Sequence, residues 1–401
     1  MIYRNEASPG YDRLKNAALA FVRRMKVGEE PGAYKKEACE SGPSTYGAYH
    51  AAVILSLFGE LDKESCESLD RWAERINALQ CPGGYFSNRP GDKARRRGTE
   101  ELDPVWHFTR GMLWTLYLLG RRPAQALDFL EPLLNKEAMY RYVKKYDWKN
   151  SWAAGNQICA LSTAMFALRD FFGVPYVDEV LEYGMFPALE ELLDPKTGYW
   201  GCQFGANLRN GQFGTIHVLP TYFAQGWDYR FLERSVDSTL ACQNPDGSFW
   251  PCGSDCPDFD GAYMLYNLHC LTDYRRENIE RAARLYIQHA LMHEAADGVG
   301  FTIHRRDSRP EQWVSRPHFI WLDGDTEARE EIRDEDPTRD KIMLGSWFYP
   351  QSLALMSGLL GDTGFEGPWR LTRACLHECN VDREPGDTSL PNRKEAFHGA
   401  L

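Results

Sequence analysis

The chain has 401 residues, and its 46 Lys and Arg against 57 Asp and Glu give a formal net charge of −11. An acidic chain without a stripe of Lys and Arg argues against a nucleic-acid partner. No apolar stretch approaches the roughly 20 residues needed to cross a bilayer, so no transmembrane segment is predicted. The 43% of hydrophobic residues are enough for a large core.

The N-terminus and the cysteines bear on the compartment. Residues 1–6 lack the basic and apolar regions of a signal peptide. The 11 cysteines are an odd number and lie mostly in apolar segments, which favours reduced thiols over a disulfide framework. We therefore expect a cytoplasmic protein.

Six segments share one pattern, in which a small or aromatic residue opens an apolar run that ends at Gly or a polar break. Each is too long for a strand and apolar on nearly all sides, which is typical of a buried helix. Gly at the end is a helix C-cap signal. In chain order the segments are 44–59, 105–120, 155–168, 213–227, 259–274 and 346–361.

Amphipathic, charged segments lie between the apolar ones. In residues 61–80 the apolar positions recur with the spacing of a one-sided helix, and residues 229–243 and 276–293 follow the same pattern. Buried and surface helices therefore alternate in about six pairs. This repeat predicts a single domain over residues 1–379. Residues 380–401 are polar and predict a flexible tail.

A short loop recurs ahead of several inner helices. Gln80-Cys-Pro-Gly-Gly-Tyr-Phe86 matches Gln243-Asn-Pro-Asp-Gly-Ser-Phe249, and segments 194–200 and 297–301 are looser copies. Gly supplies a positive-φ turn, and we expect the aromatic residue to fill the gap between neighbouring hairpins.

The motif Gln-x-Pro-x-Gly-x-Phe ahead of an apolar helix resembles the repeat of the terpene cyclase and protein prenyltransferase β-subunit superfamily. Segment 346–361 resembles the last inner helix of prenyltransferase β-subunits, and the resemblance covers about residues 40–361. It implies an all-α fold, an (α/α)6 toroid in which six helical hairpins close a ring around a central cavity. That fold hosts many chemistries.

Three carboxylates lie at the start of the fifth inner helix: Asp255, Asp258 and Asp260. One interpretation is an N-cap, because carboxylates are stabilised at helix starts. The other is a buried proton donor whose pKa is raised by burial and a like charge. Asp258-Phe-Asp260-Gly261 is similar to the Asp-x-Asp-Asp motif of class II terpene cyclases, with Gly in place of the last Asp. The resemblance implies that Asp260 is the acid and that Asp258 supports it.

Zinc-dependent prenyltransferases use an Asp, a Cys two residues later and a His on the last inner helix. This chain has Asp258, but Asp260 stands where Cys is expected and Pro350 where His is expected. The resemblance therefore does not carry over the zinc site, and we predict neither a metal nor a cofactor.

Aromatic residues are numerous at the starts of the inner helices. Each suits core packing, whereas together their π faces favour a cavity for an apolar or sugar-like ligand and would stabilise a carbocation. The candidate binding residues among them are Trp106, Tyr263, Trp347 and Tyr349.

A polar set occupies the same layer of helix starts. Toroid polysaccharide lyases and epimerases use such residues: Arg or Asn neutralises a uronate carboxylate, and Tyr or His moves the α-proton. A lone His also suits a structural role, and the Asp pair also suits a glycoside hydrolase. The polar candidates are Tyr46, His50, His107, Arg110, Asn156 and His217.

Three functions follow as hypotheses. The first is acid-initiated cyclisation or rearrangement of an isoprenoid-like substrate. The second is a carbohydrate-active enzyme, namely a uronate lyase, an epimerase or a glycosidase. The third is a non-catalytic binding subunit, for which a partner subunit or an oligomer stays open.

Overall fold

The structure is a computed structural model that describes residues 11–38, 40–87, 104–250, 255–307 and 343–361, without the side chains of Tyr11, Pro104 and Asp255. Regular structure in these ranges is helical, apart from isolated β-bridges. The predicted all-α class is therefore confirmed. The predicted tail, residues 380–401, lies outside the described residues.

The α-helices of the described residues are numbered in chain order. They are α1 (Tyr11–Met25), α2 (Thr45–Leu57), α3 (Cys66–Asn77), α4 (Pro104–Leu118), α5 (Lys136–Lys144), α6 (Ser151–Phe172), α7 (Val177–Val180), α8 (Phe186–Leu192), α9 (Leu208–Ala224), α10 (Leu232–Cys242), α11 (Asp255–Leu271), α12 (Arg276–Leu291) and α13 (Met343–Leu359). A π-helical turn, Leu181–Met185, joins α7 to α8.

The inner wall consists of α2, α4, α6, α9, α11 and α13, which correspond to the six predicted apolar segments. Each packs against the next, and α13 returns to pack against α2, so the ring closes. The sequence of α6 explains its place, since every side chain from Ser151 to Leu168 is buried. The predicted toroid of helical hairpins is confirmed.

The remaining helices form the outer layer. Helix α1 packs on α2 and α13, α3 packs on α4, α10 packs on α9 and α11, and α12 packs on α11 and α13. Helices α5 and α8 pack together outside α6, with α7 against α6. The apolar face of α3 is narrow, as its sequence predicts: Trp72, Ala73 and Ile76 are buried. No helix in the described ranges is long and apolar enough to span a membrane.

The Gly-aromatic loops join the two layers. Phe86, Trp200 and Phe301 each form an isolated antiparallel bridge across the loop and are fully buried. Gly84 has φ +91°, and a Cβ there would lie 1.9 Å from the carbonyl oxygen of Ala126. Only Gly tolerates both the positive φ and this close approach, so the loop packs directly against the backbone at Ala126.

A side-chain oxygen on the next inner helix receives the backbone N–H of the loop aromatic. The N–H of Phe86 donates to Thr109 (3.0 Å). The N–H of Trp200 donates to Thr215 (3.2 Å). The N–H of Phe301 donates to Ser346 (3.2 Å). This repeated bond, which we call the loop clamp, satisfies a buried donor and fixes the loop to the inner helix.

Candidate functional site

The first inner helices bring Tyr46 and His107 together. The hydroxyl of Tyr46 on α2 lies 2.9 Å from Nδ1 of His107 on α4. One turn further along α4, Nη1 of Arg110 lies 3.4 Å from Oδ1 of Asn156 on α6. The Nδ2 of Asn156 donates to the carbonyl of Trp152 (3.1 Å), so the amide orientation places Oδ1 toward the guanidinium. Three adjacent inner helices therefore contribute to one polar layer.

His217 on α9 belongs to the same layer. Its Nδ1 lies 2.6 Å from the carbonyl oxygen of Phe213, and a carbonyl only accepts, so Nδ1 carries the proton and Nε2 presents a lone pair. Burial, and then the charge of Arg110, lower the pKa of His217 to about 3. The ring is therefore neutral at physiological pH, with Nε2 available to accept a proton.

Arg110 sets the electrostatics of the layer. Burial first, and then the charge of Arg110, hold the pKa of His107 well below its usual range. Burial raises the pKa of Tyr46, and the same guanidinium partly offsets this. The layer therefore combines a protonated phenol, two neutral imidazoles and one fixed positive charge. We call Tyr46, His107, Arg110, Asn156 and His217 the polar layer.

Of the other predicted binding residues, His50 borders the polar layer, with its ring centroid 6.0 Å from that of Tyr46. His50 and Trp347 have ring centroids 5.9 Å apart, and Trp347 stacks on Phe348 at 4.3 Å, which forms an aromatic cluster between α2 and α13. Trp106 packs on Phe129 of the outer layer at 5.3 Å.

Tyr263 and Tyr349 lie on the inner helices α11 and α13. Tyr263 is fully buried on α11, 6.1 Å from the ring of Phe259. Tyr349 stacks on His293 with ring centroids 4.1 Å apart. Its hydroxyl donates to Oδ2 of Asp258 (3.3 Å), so it belongs to the surroundings of that carboxylate.

Asp258 is fully buried, and both of its oxygens accept hydrogen bonds. Oδ1 accepts the N–H groups of Phe249 (2.7 Å) and Trp250 (3.3 Å), so Asp258 makes the loop clamp of the fifth repeat. Oδ2 accepts from Tyr349 and lies 2.9 Å from Nε2 of His289 on the outer helix α12. A carboxylate here replaces the hydroxyl of the other repeats, and its second oxygen is directed to the outer layer.

Asp260 is also buried, with 2% of its surface exposed. Asp260 lies near Tyr286 on α12. The pKa of Tyr286 is raised by burial first, then by Asp258, and to a smaller extent by Asp260. A Cβ at Gly261 would lie 2.1 Å from the ring of Phe249. The loop aromatic therefore occupies the space that a fourth residue of an Asp-x-Asp-Asp motif would need. The side chain of Asp255 is outside the described residues.

A pocket of about 380 Å³ opens at the start of α9. Phe213 lines it together with Trp250, at a ring distance of 6.0 Å, and Phe213 precedes His217 by one helical turn. The lining residues are Asn207, Leu208, Arg209, Asn210, Phe213, Ala241, Cys242 and Trp250.

His289 and His293 were not among the sequence-predicted residues. His289 lies in the last turn of α12 and His293 two residues beyond its end, and Nε2 of His293 is 3.2 Å from Nε2 of His289. The His-x-x-x-His spacing, which would put both rings on one side of a continuous helix, was the available signal. The expectation that functional residues lie at the starts of inner helices did not include them, because α12 is an outer helix.

Comparisons with known proteins give structural likeness only. No family model and no curated protein sequence matches the chain. The type II terpene cyclase MstE from Scytonema, in its apo form, is 13% identical with a TM-score of 0.46, over 88% of this chain and 99% of that chain. A polysaccharide lyase is 13% identical with a TM-score of 0.47, over 89% of this chain and 98% of that chain. The two are enzymes of different chemistry, so the likeness concerns the fold and selects neither reaction.

Proposed function

We propose that the protein is a lyase that cleaves uronate-containing glycans by β-elimination. The observation that carries the proposal is the 2.9 Å contact between the Tyr46 hydroxyl and His107, one helical turn from the buried guanidinium of Arg110. An acid, a base and an anion-binding group in one layer are what this elimination requires.

The elimination first requires a group that binds the carboxylate of the sugar. The proton on the carbon next to this carboxylate is weakly acidic until the negative charge that develops on the carboxylate is stabilised. The guanidinium of Arg110 and the amide of Asn156 are the groups that would bind it, because charge-assisted hydrogen bonds are strongest where donors are fixed and largely removed from water. The 3.4 Å contact between the two side chains supports this pairing.

Proton transfer follows from the protonation states. Nε2 of His217 accepts the α-proton, since Nδ1 of that ring is engaged with the carbonyl of Phe213. Tyr46, whose raised pKa keeps its hydroxyl protonated, donates its own phenolic proton to the leaving glycosidic oxygen. The C–O bond breaks as the C=C bond forms, with no change of redox state. The α-proton held on His217 then returns to Tyr46 through water, which restores both residues, while His107 orients the Tyr46 hydroxyl through their hydrogen bond.

The pocket beside α9 supports a glycan rather than a small acid. Trp250 and Phe213 offer aromatic faces for sugar rings, and Asn210 and Arg209 offer polar contacts. Such a mixture of aromatic walls and a few polar groups is typical of ligand sites. Because Phe213 lies one turn from His217, a bound chain would place its next sugar near the polar layer.

The test is an ultraviolet assay for the unsaturated product, with alginate, pectate and glycosaminoglycan uronates as substrates. On the substrate that responds, we expect Tyr46→Phe to lower kcat by about 10²–10⁴, the usual contribution of a general acid or base. Tyr117→Phe is the matched control, because its hydroxyl on the same wall bonds Asp170 outside the polar layer. Absence of product from all substrates, or full activity of Tyr46→Phe, would overturn the proposal.

A second candidate is acid-initiated cyclisation of an isoprenoid by Asp260. It is favoured by one observation, a carboxylate 2% exposed on an inner helix beside Phe259, whose ring stacks on Phe348 at 4.8 Å. Incubation with linear prenyl diphosphates and product analysis tests it. Asp260→Asn should abolish turnover, and unchanged turnover would eliminate the assigned acid.

A further inference from the structure

We propose that Asp258, His289 and His293 bind a divalent metal ion of the zinc class, which ties the fifth hairpin of the ring to the sixth. The proposal is independent of the lyase chemistry, because the three residues lie between α11 and α12, apart from the polar layer. It also differs from the prenyltransferase zinc site, since the two histidines come from the end of the outer helix α12 and from the turn that follows it.

The geometry is that of a compact ligand set. Oδ2 of Asp258, Nε2 of His289 and a ring nitrogen of His293 lie within 4.8 Å of one another. The two shorter separations are 2.9 Å and 3.2 Å. Ligand atoms about 2.0–2.1 Å from a tetrahedral zinc ion lie roughly 3.3 Å apart, so small adjustments would seat an ion among them.

The positions of the protons on the two histidine rings favour a cation between Asp258, His289 and His293. Nδ1 of His293 lies 3.0 Å from the carbonyl of Thr302, which only accepts, so in the neutral ring Nε2 presents a lone pair. That lone pair, the Asp258 carboxylate and Nε2 of His289 face one another in a fully buried space. One N–H of His289 cannot be directed at both neighbours, and facing lone pairs repel in the absence of a positive centre.

His289 is free to supply its own lone pair. Its Nδ1 has no hydrogen-bond partner within the described ranges, and the residue is 1% exposed. In the neutral tautomer with the proton on Nδ1, Nε2 becomes a ligand atom. Three ligands from two side-chain types, two imidazoles and one carboxylate, are a common zinc set.

The surroundings orient the ligands. The Nδ1–H of His293 is directed at a backbone carbonyl, and Oδ1 of Asp258 accepts the N–H of Phe249 while Oδ2 faces the histidines. Hydrogen bonds of these two kinds, made by the atom of each side chain that does not face the ion, fix histidine and carboxylate ligands in metal sites. The Tyr349 hydroxyl, 3.3 Å from Oδ2, would supply the fourth ligand directly or through water.

Charge balance points the same way. Asp258 is fully buried on α11. A buried carboxylate is costly unless it is paired, and a divalent cation would offset its charge. Because the ligands are closed off from solvent, the ion enters as the hairpins assemble, so binding is coupled to folding.

The experiment uses the full chain, expressed in zinc-supplemented medium and dialysed against metal-free buffer. Elemental analysis should find about one zinc per chain, the stoichiometry of a single four-coordinate site. Chain refolded with cobalt in place of zinc should show the visible absorption of tetrahedral cobalt. Chain refolded with a chelator should have a lower Tm, which zinc added during refolding restores.

His293→Gln should lose both the zinc and the cobalt absorption. His269→Gln is the matched control, because His269 lies on α11 and contacts Arg276 outside the cluster, and it should keep both. Folded wild-type chain without metal and with a Tm indifferent to zinc would overturn the proposal, as would metal retained by His293→Gln. Where that variant fails to fold, absence of cobalt absorption in the wild type would overturn it.

Discussion

The polar layer predicts a specific loss of stability in mild acid. In the folded chain, burial and Arg110 lower the pKa of His217 to about 3, whereas an unfolded histidine titrates near 6.5. Below about pH 6.5 the unfolded state therefore binds more protons than the folded state. The stability contributed by neutral His217 is complete above that pH and is lost as the pH falls toward the folded pKa.

The size of the loss follows from those two values. Between pH 7 and pH 5 a single such histidine costs about 2 kcal/mol, at about 1.4 kcal/mol per pH unit once the unfolded ring is protonated. That is a substantial part of the roughly 5–15 kcal/mol by which domains are stable. His107, which is partly exposed, acts in the same direction because its pKa is also lowered.

The assay is urea unfolding at pH 7, 6 and 5, followed by circular dichroism. His217→Asn removes the titrating ring, so its free energy of unfolding should fall by about 2 kcal/mol less than that of the wild type over this range. Gln157→Ala changes a buried neutral residue of the neighbouring wall and should keep the pH dependence of the wild type. Parallel pH profiles for wild type and His217→Asn would refute the reasoning.

Two further substitutions test how the Gly-aromatic loops are held against the inner helices. Gly261→Ala should destabilise the chain by about 1–3 kcal/mol in urea unfolding, because its Cβ would meet the ring of Phe249, whereas Gly358→Ala on α13 meets nothing within 4 Å and should be neutral or stabilising. Equal stability of the two variants would contradict the close approach. Thr215→Val should cost about 1–3 kcal/mol and speed amide exchange at Trp200, because the loop clamp is lost. Thr163→Val, which loses only a bond to its own helix, should cost less, and an equal cost would count against the clamp.

The inner helices were predictable because burial on all sides leaves a run of apolar residues with few alternatives. Their starts were less so. Helix α6 begins at Ser151 and α9 at Leu208, each a few residues before the predicted segment. In both cases an Asn caps the helix, with Asn150 accepting from the N–H of Ala153 and Asn207 from that of Asn210. These polar first turns fall outside an apolar pattern.

The candidate site was predictable only as a layer. The order of the inner helices places Tyr46, His107 and Asn156 on adjacent walls, which the repeat alone indicates. The direction of a side chain depends on its neighbours, however, so the sequence did not separate Trp106, which packs outward on Phe129, from residues of the layer. It also did not indicate that His289 on an outer helix reaches an inner carboxylate.

Closure of the ring has a consequence for synthesis of the chain on the ribosome. In an open array of helical repeats, each new hairpin can settle on the one before it as it emerges. Here α13 packs on α1 and α2, so the first hairpin is completed only by the last inner helix, some 300 residues later. Until α13 is made, the apolar faces of α1 and α2 that it covers remain available to chaperones. Folding therefore ends in a single late step, the packing of α13 on α1 and α2, which requires nearly the whole chain.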